Sequence, residues 1–327
     1  MIEPDSFRVG LTGDAPSDSS FQQLPFIRRQ NISPILFGFL ALLLIFLLYQ
    51  IVGGAAAFVF FGLKPTAGHV AGFRIVTGLS QVFLILIPTV ILVRLTTTTP
   101  ARFLRLSFPH PRVFLMPVIG IFSLQQMLQI YLVLQEKIPL PERLLPIINQ
   151  LRESIEEAYR QIVSSSSVPE LLFVVLVIAL IPAFVEELLF RGLVQRSFEN
   201  GLGPMKGAVL TGIIFGAYHL NPFAFIPLAA LGIYLGFLTM RANSIWVSVV
   251  VHFFNNATAS LAMYLHYDDD AIVTGNPNTM SGGNLLLSFV VFGSLFVATT
   301  VLFVRATEKE KKNIDLSASD FQPTITN

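Results

Sequence analysis

The chain has 327 residues, 53% of them hydrophobic and 13% charged, with a formal net charge of +1. So little charge cannot cover the surface of a water-soluble domain of this length, and the basic residues lie between apolar runs without forming a patch for nucleic acid. There is no cysteine, which excludes disulfides, thiol catalysis and thiolate metal sites.

The first 32 residues are polar, with Glu3, Asp5, Asp14 and Asp18, and with Arg28-Arg29 just before the first apolar run. A signal peptide would begin basic and turn apolar quickly. We therefore expect a cytosolic disordered tail over 1–32, then a transmembrane helical domain over 33–305 and a cytosolic tail over 306–327. Apolar runs long enough to span a bilayer lie near 34–63, 75–95, 113–135, 169–199, 206–220, 223–240, 244–265 and 284–304. They are too continuous for alternating barrel strands. The fold class is all-α: a polytopic membrane protein with about eight transmembrane helices. The first span is longer than a bilayer requires, and a bend at Gly53-Gly54 would absorb the excess.

Orientation follows from the basic residues. If the N-terminus is cytoplasmic and each span reverses the chain, the two tails, the 94–112 loop, the 191–206 segment and Arg241 fall on the cytoplasmic side. Only Lys64, Arg74, Lys137, Arg143, Arg152 and Arg160 fall opposite, together with the acidic run Asp268-Asp269-Asp270. That asymmetry obeys the positive-inside rule and places both termini in the cytoplasm. No transit-like segment is visible, which favours a bacterial plasma membrane. The 136–168 segment breaks the apolar pattern with Pro139, Pro141 and Pro146, then continues as an amphipathic stretch around Glu153, Glu156 and Glu157. It reads as an interfacial helix on the outer side.

Ionisable groups inside apolar spans are the informative ones, because keeping them there costs free energy. Glu186 and Glu187 interrupt one span, and Arg191 follows Glu187 at i+4 on the same face. Glu186 is rotated about 100° from that pair and is free to face another helix. His219 lies in a second apolar run, and His252 with Asn256 at i+4 in a third; Asn255 is expected to point elsewhere. No formal charge falls between Lys206 and Arg241, whereas two full crossings need about 40 residues. With a break at Asn221-Pro222, this hairpin is short and its tip should stop below the outer surface. At 1.5 Å per residue, Glu186, His219, His252 and Asn256 come out at depths of roughly 12–20 Å from the cytoplasmic side.

Such a set can hydrolyse an amide. Hydrolysis needs a base for water, donors for the developing oxyanion and a proton for the leaving amine. Glu186 aided by His219 can supply the first, and His252 with Asn256 can point two donors at one oxygen. There is no HExxH zinc helix, GxSxG elbow or P-loop. Two histidines and two glutamates could instead hold a divalent ion through Glu186, His219 and His252.

Three motifs carry a resemblance: Glu186-Glu187-Leu188-Leu189-Phe190-Arg191, Phe215-Gly216-Ala217-Tyr218-His219 and His252-Phe253-Phe254-Asn255-Asn256. In order and spacing they resemble EExxxR, FxxxH and HxxxN of the CAAX prenyl protease and bacteriocin-processing (CPBP, or Abi) family of intramembrane glutamic endopeptidases, over about 168–266. The resemblance implies that Glu186 and His219 activate the attacking water, that His252 and Asn256 form the oxyanion site, and that Glu187 and Arg191 support them. It also implies that no metal or other cofactor is needed and that the partner is a membrane-associated peptide or protein. Two other readings compete: a non-catalytic membrane adaptor or immunity protein on the same scaffold, and a proton-coupled transporter. The latter is disfavoured by the absence of an internal repeat.

Overall fold

A computed structural model describes residues 25, 27, 30–62, 67–265 and 281–319. The expected tail over 1–32 and the acidic run at 268–270 lie almost wholly outside these. Among the described residues there is no strand, and the chain is a succession of helices. They are α1 (Pro34–Phe61), α2 (Val70–Thr96), α3 (Arg112–Glu136), α4 (Leu145–Val163), α5 (Val168–Leu202), α6 (Pro204–Tyr218), α7 (Phe225–Ala242), α8 (Ile245–Tyr264) and α9 (Gly282–Ser319). All but α4 and α6 are long and apolar enough to cross a bilayer, which makes seven candidate spans. Their outward faces are apolar, as at Val59, Phe60, Leu172 and Leu286. That is the reverse of a soluble surface and matches a lipid environment.

The count differs from the sequence expectation at one segment. The run expected over 206–220 forms α6, only 15 residues long, or about 22 Å against a hydrocarbon core of about 30 Å. The helix stops because Leu220 adopts a left-handed conformation (φ 53°) and Pro222 follows. Asn221 Oδ1 then accepts the backbone N–H groups of Phe223 and Ala224 at 3.1 and 3.2 Å, starting α7. α6 and α7 pack backbone to backbone: a Cβ on Gly216 would lie 2.7 Å from the Ala229 nitrogen, and one on Gly232 2.7 Å from the Gly212 carbonyl oxygen. Small residues permit this approach, and it fixes where Phe215 and His219 point. At the other end, α9 runs unbroken past the expected domain boundary at 305 to Ser319.

α5 is the central element and is not a regular α-helix. A π-helical stretch, Val175–Leu180, precedes the α-helical turn Ile181–Glu187, and a second, Leu188–Val194, follows it. Two further π stretches occur: Val82–Leu86, shortly before Pro88, and Leu47–Gly53, which ends at the glycine pair expected to bend α1. Such bulges re-aim side chains and free carbonyls. In α5 the cause is legible. Pro182 has no N–H to donate to the Ile178 carbonyl four residues earlier.

α4 touches α2 and α8, and its Arg152 bonds Glu136 at the end of α3 at 2.9 Å. Its amphipathic sequence leaves most of it exposed, and its C-terminus is tied down by Arg74, which is 1% exposed. Arg74 Nε donates to the Ile162 carbonyl at 2.8 Å, and Nη2 donates to the Gln161 carbonyl at 3.1 Å and to that of Ser164. Nη1 bonds Glu170 of α5 at 2.8 Å. These are the last carbonyls of a helix, which have no partner of their own along it.

Candidate active site

Three helices bring the charged and polar groups together, and Glu187 is the junction. It is fully buried, as is Arg191. Arg191 Nε donates to Glu187 Oε2 at 3.0 Å, and His252 Nδ1–H donates to Glu187 Oε1 at 3.0 Å. Glu187 thus links α5 internally and ties α5 to α8. A carboxylate that holds Nδ1–H of an imidazole fixes the ring's tautomer and leaves Nε2 for other work. The remaining guanidinium nitrogens of Arg191, Nη1 and Nη2, are buried with no protein hydrogen bond among the described residues. The guanidinium lies over the Phe215 ring at 5.3 Å, within range of a cation–π attraction.

Phe215 is the apolar centre of the arrangement. It is fully buried, meets the His219 ring at 4.7 Å and the His252 ring at 5.8 Å between centroids, and packs on Phe190 at 5.1 Å. The two imidazoles therefore stand on the same phenyl ring, held by α6 and α8. His219 caps the end of α6, where its Nδ1–H donates to the Phe215 carbonyl at 2.7 Å. Its ring is exposed, with Nε2 available as an acceptor.

Glu186 differs from Glu187 in burial and in pairing. It is partly buried, and its Oε2 has no hydrogen-bond partner among the described residues. Tyr49 of α1 and Tyr218 of α6 lie within electrostatic range of it, and the Tyr218 hydroxyl is likewise buried and without a partner. Neither tyrosine stood out in the sequence, where an aromatic residue in an apolar run reads as packing.

Asn256 is held on both sides. Its Nδ2 donates to the Ile178 carbonyl at 3.2 Å, and its Oδ1 accepts from Asn255 Nδ2 at 3.0 Å. Asn255 therefore does not point away, as expected from its position one step round the helix. Its side chain turns back onto its neighbour while Gln125 Nε2 of α3 bonds its Oδ1 at 2.9 Å. Gln125 was missed. The signal was present, since an amide in mid-span needs partners just as a charge does.

Among the described residues, no three His, Asp or Glu side chains gather as a metal-binding set. His252 Nδ1 is engaged by Glu187 and His219 Nδ1 by the Phe215 carbonyl, which leaves Nε2 of each ring uncommitted.

This geometry falls within a recognisable stretch of chain. Residues 168–258 match the family described as Rce1-like: Type II CAAX prenyl endopeptidase Rce1-like. Over that stretch the chain is similar to that family. Comparisons with curated proteins and with solved structures gave no match. The Rce1-like stretch begins at the N-terminus of α5 and ends within α8, so it includes all three motifs and excludes α1 to α4. It nearly coincides with the 168–266 segment that resembles the CPBP family by its motifs. A stretch similar to CAAX prenyl endopeptidases is thereby set in a multi-pass, all-α membrane protein.

Proposed function

We propose that the chain is an intramembrane endopeptidase that hydrolyses a peptide bond of a membrane-associated protein or peptide through a glutamate-activated water. One observation carries the reading. Of two adjacent carboxylates in a span, Glu187 has both oxygens committed, whereas Glu186 keeps an oxygen with no partner among the described residues. A carboxylate inside an apolar span is costly to leave so.

The steps follow from the groups present. Water donates a proton to Glu186 as its oxygen attacks the substrate carbonyl carbon, and His219 Nε2 orients or assists that water. The carbonyl electrons move onto oxygen, where His252 Nε2–H and the second N–H of Asn256 stabilise the charge. The C–N bond then breaks, and the leaving amine takes the proton from Glu186. His252 donates from Nε2 only when its ring is protonated, and the Glu187 carboxylate on Nδ1 favours that form as charge develops. Arg191 holds Glu187 in place.

Glu186→Gln keeps size and polarity but removes the base. Cleavage of a peptide substrate by the purified full-length protein should fall at least ~10³-fold, with an unchanged melting temperature in detergent. A variant that cuts as fast as the unaltered protein would sink the mechanism. The proposal also has cleavage persist in a strong chelator. Loss there, restored by Zn²⁺, would transfer the water-activating role to an ion. Support for cytoplasmic termini comes from the arginine and lysine asymmetry, and accessibility labelling of engineered cysteines in each loop tests it.

A further inference from the structure

Two polar atoms on neighbouring helices have opposite needs and no means of meeting them from outside the bundle. Glu186 Oε2 on α5 and the Tyr218 hydroxyl at the end of α6 are each buried, with no hydrogen-bond partner among the described residues. The two side chains lie within electrostatic range of each other. A carboxylate oxygen accepts, and a phenolic O–H donates. Neither atom has the exposed surface to meet a substrate or bulk water, so whatever satisfies them must come from within the protein. The other tyrosine near Glu186, Tyr49, is already paired with the Gln81 side chain of α2.

Tyr218 is held firmly beside Glu186. Its ring stands edge-on to Phe46 of α1 at 5.5 Å and to Phe190 of α5 at 5.3 Å between centroids. Its backbone carbonyl accepts from Gln50 Nε2 of α1 at 3.1 Å. Phe46 and Gln50 are four residues apart, at the start of the π stretch Leu47–Gly53, so one face of α1 fixes both the ring and the main chain. The carboxylate is the part that can turn. The last torsion of a glutamate is broad, and rotation about it carries Oε2 toward the hydroxyl without moving the backbone.

We propose that Tyr218 is a positioning residue for Glu186, its hydroxyl donating to Oε2 so that the other carboxylate oxygen is the one presented to water. The inference rests on the endopeptidase reading for its purpose. Glu187 has both oxygens committed; Glu186 then has one held and one left for the base's work. A hydroxyl bonds an anionic oxygen more strongly than a neutral one, so the contact also favours the charged form that the base requires. α1 lies outside the Rce1-like stretch, yet through Phe46 and Gln50 it sets the residue next to His219.

The bond is read first, apart from cleavage. Full-length protein carrying isotope-labelled tyrosine is studied in detergent by infrared difference spectroscopy, with Tyr218→Phe, which keeps both ring contacts, identifying the Tyr218 C–O stretching band. That band should shift when Glu186→Met removes the acceptor. Glu186→Gln, which leaves a weaker neutral acceptor, should shift it the same way by less, and decides alone if Glu186→Met does not fold. Turnover is read second. Tyr218→Phe should lower kcat about tenfold and leave KM within about twofold, because the hydroxyl touches no substrate. A band indifferent to the changes at Glu186 overturns the pairing. A shifted band with kcat of Tyr218→Phe unchanged, or with KM raised in place of a fall in kcat, overturns the positioning role. A band that shifts in a protein whose unaltered form cuts no peptide supports the pair and refutes the endopeptidase reading.

Discussion

α5 carries two glutamate–arginine clusters about three turns apart, and they are built differently. In the first, Glu187 meets Arg191 through a single nitrogen and offers its other oxygen to His252. In the second, near the end of the helix, Glu199 is gripped by both terminal nitrogens of Arg105 and by Gln195 Nε2 at 2.8 Å. The Arg105 backbone is fixed too, with φ at 56° and a carbonyl that accepts the Ile245 N–H at 3.1 Å. A bidentate guanidinium and a neutral amide make a clamp of fixed geometry. The Glu187 cluster is poorer as a clamp, since it leaves Arg191 Nη1 and Nη2 buried and unpaired. What it has instead is an imidazole with one nitrogen pinned and the other uncommitted. Similar ion pairs thus differ in what they hold, one the 104–107 loop against the bundle and the other the His252 ring.

The largest expected effect breaks the first cluster. Glu187→Ala strands a fully buried guanidinium and releases His252, so it should cost about 3–5 kcal/mol of stability and at least ~10²-fold in kcat of whatever remains folded. Thermal melting and turnover measured on the same preparation test both halves. Glu187→Gln, which keeps an acceptor for His252 Nδ1, should lie between. Equal turnover in both variants and the unaltered protein would remove His252 orientation from the mechanism.

The second cluster should respond in stability alone. Arg105→Ala leaves Glu199 buried with its main partner gone, a loss of about 3–5 kcal/mol, yet kcat per folded molecule should stay within about threefold. The double replacement Arg105→Met with Glu199→Leu should recover much of the loss, because apolar residues of similar size often replace a buried pair without penalty. A drop in kcat as deep as that of Glu187→Ala would erase the distinction between the clusters.

Much of this was legible in the chain. The spans follow from apolar length, the break at Asn221-Pro222 from turn chemistry, and the Glu187–Arg191 contact from i, i+4 spacing. What was not legible is pairing across helices. Arg105 and Arg74 read as loop charges, and only the fold shows each buried against a glutamate of α5. Phe215 reads as packing until two histidines are found on its ring. Asn255 was judged from its helical angle, but a short amide can turn back on its neighbour. The seven-span count differs from eight because α6 is apolar yet stops one turn or more short of a crossing.

Asn256 offers a smaller, sharper test of how the site is held. Asn256→Ala should lower kcat by about 10²-fold, in the range for losing one oxyanion donor, and cost about 1 kcal/mol for the bond to the Ile178 carbonyl. Steady-state kinetics and melting separate the two. An unchanged kcat would restrict Asn256 to bracing α8 against α5.

Pro182 gives the smallest effect and the most specific. Its missing N–H leaves the Ile178 carbonyl for Asn256 Nδ2, so the proline positions the amide through a bond it does not make. Pro182→Ala restores a donor four residues from Ile178, which competes for that carbonyl and lets the α-helical register close over the π stretch. Stability should hold or rise slightly, since the helix gains a hydrogen bond, while kcat falls about three- to tenfold as Asn256 loses its anchor. The same substitution placed on Asn256→Ala should then do almost nothing to kcat, because the group it acts through is gone. If Pro182→Ala slows both backgrounds by the same factor, the Ile178 carbonyl is not the link, and the kink at Pro182 acts on Glu186 directly, one helical turn further along α5.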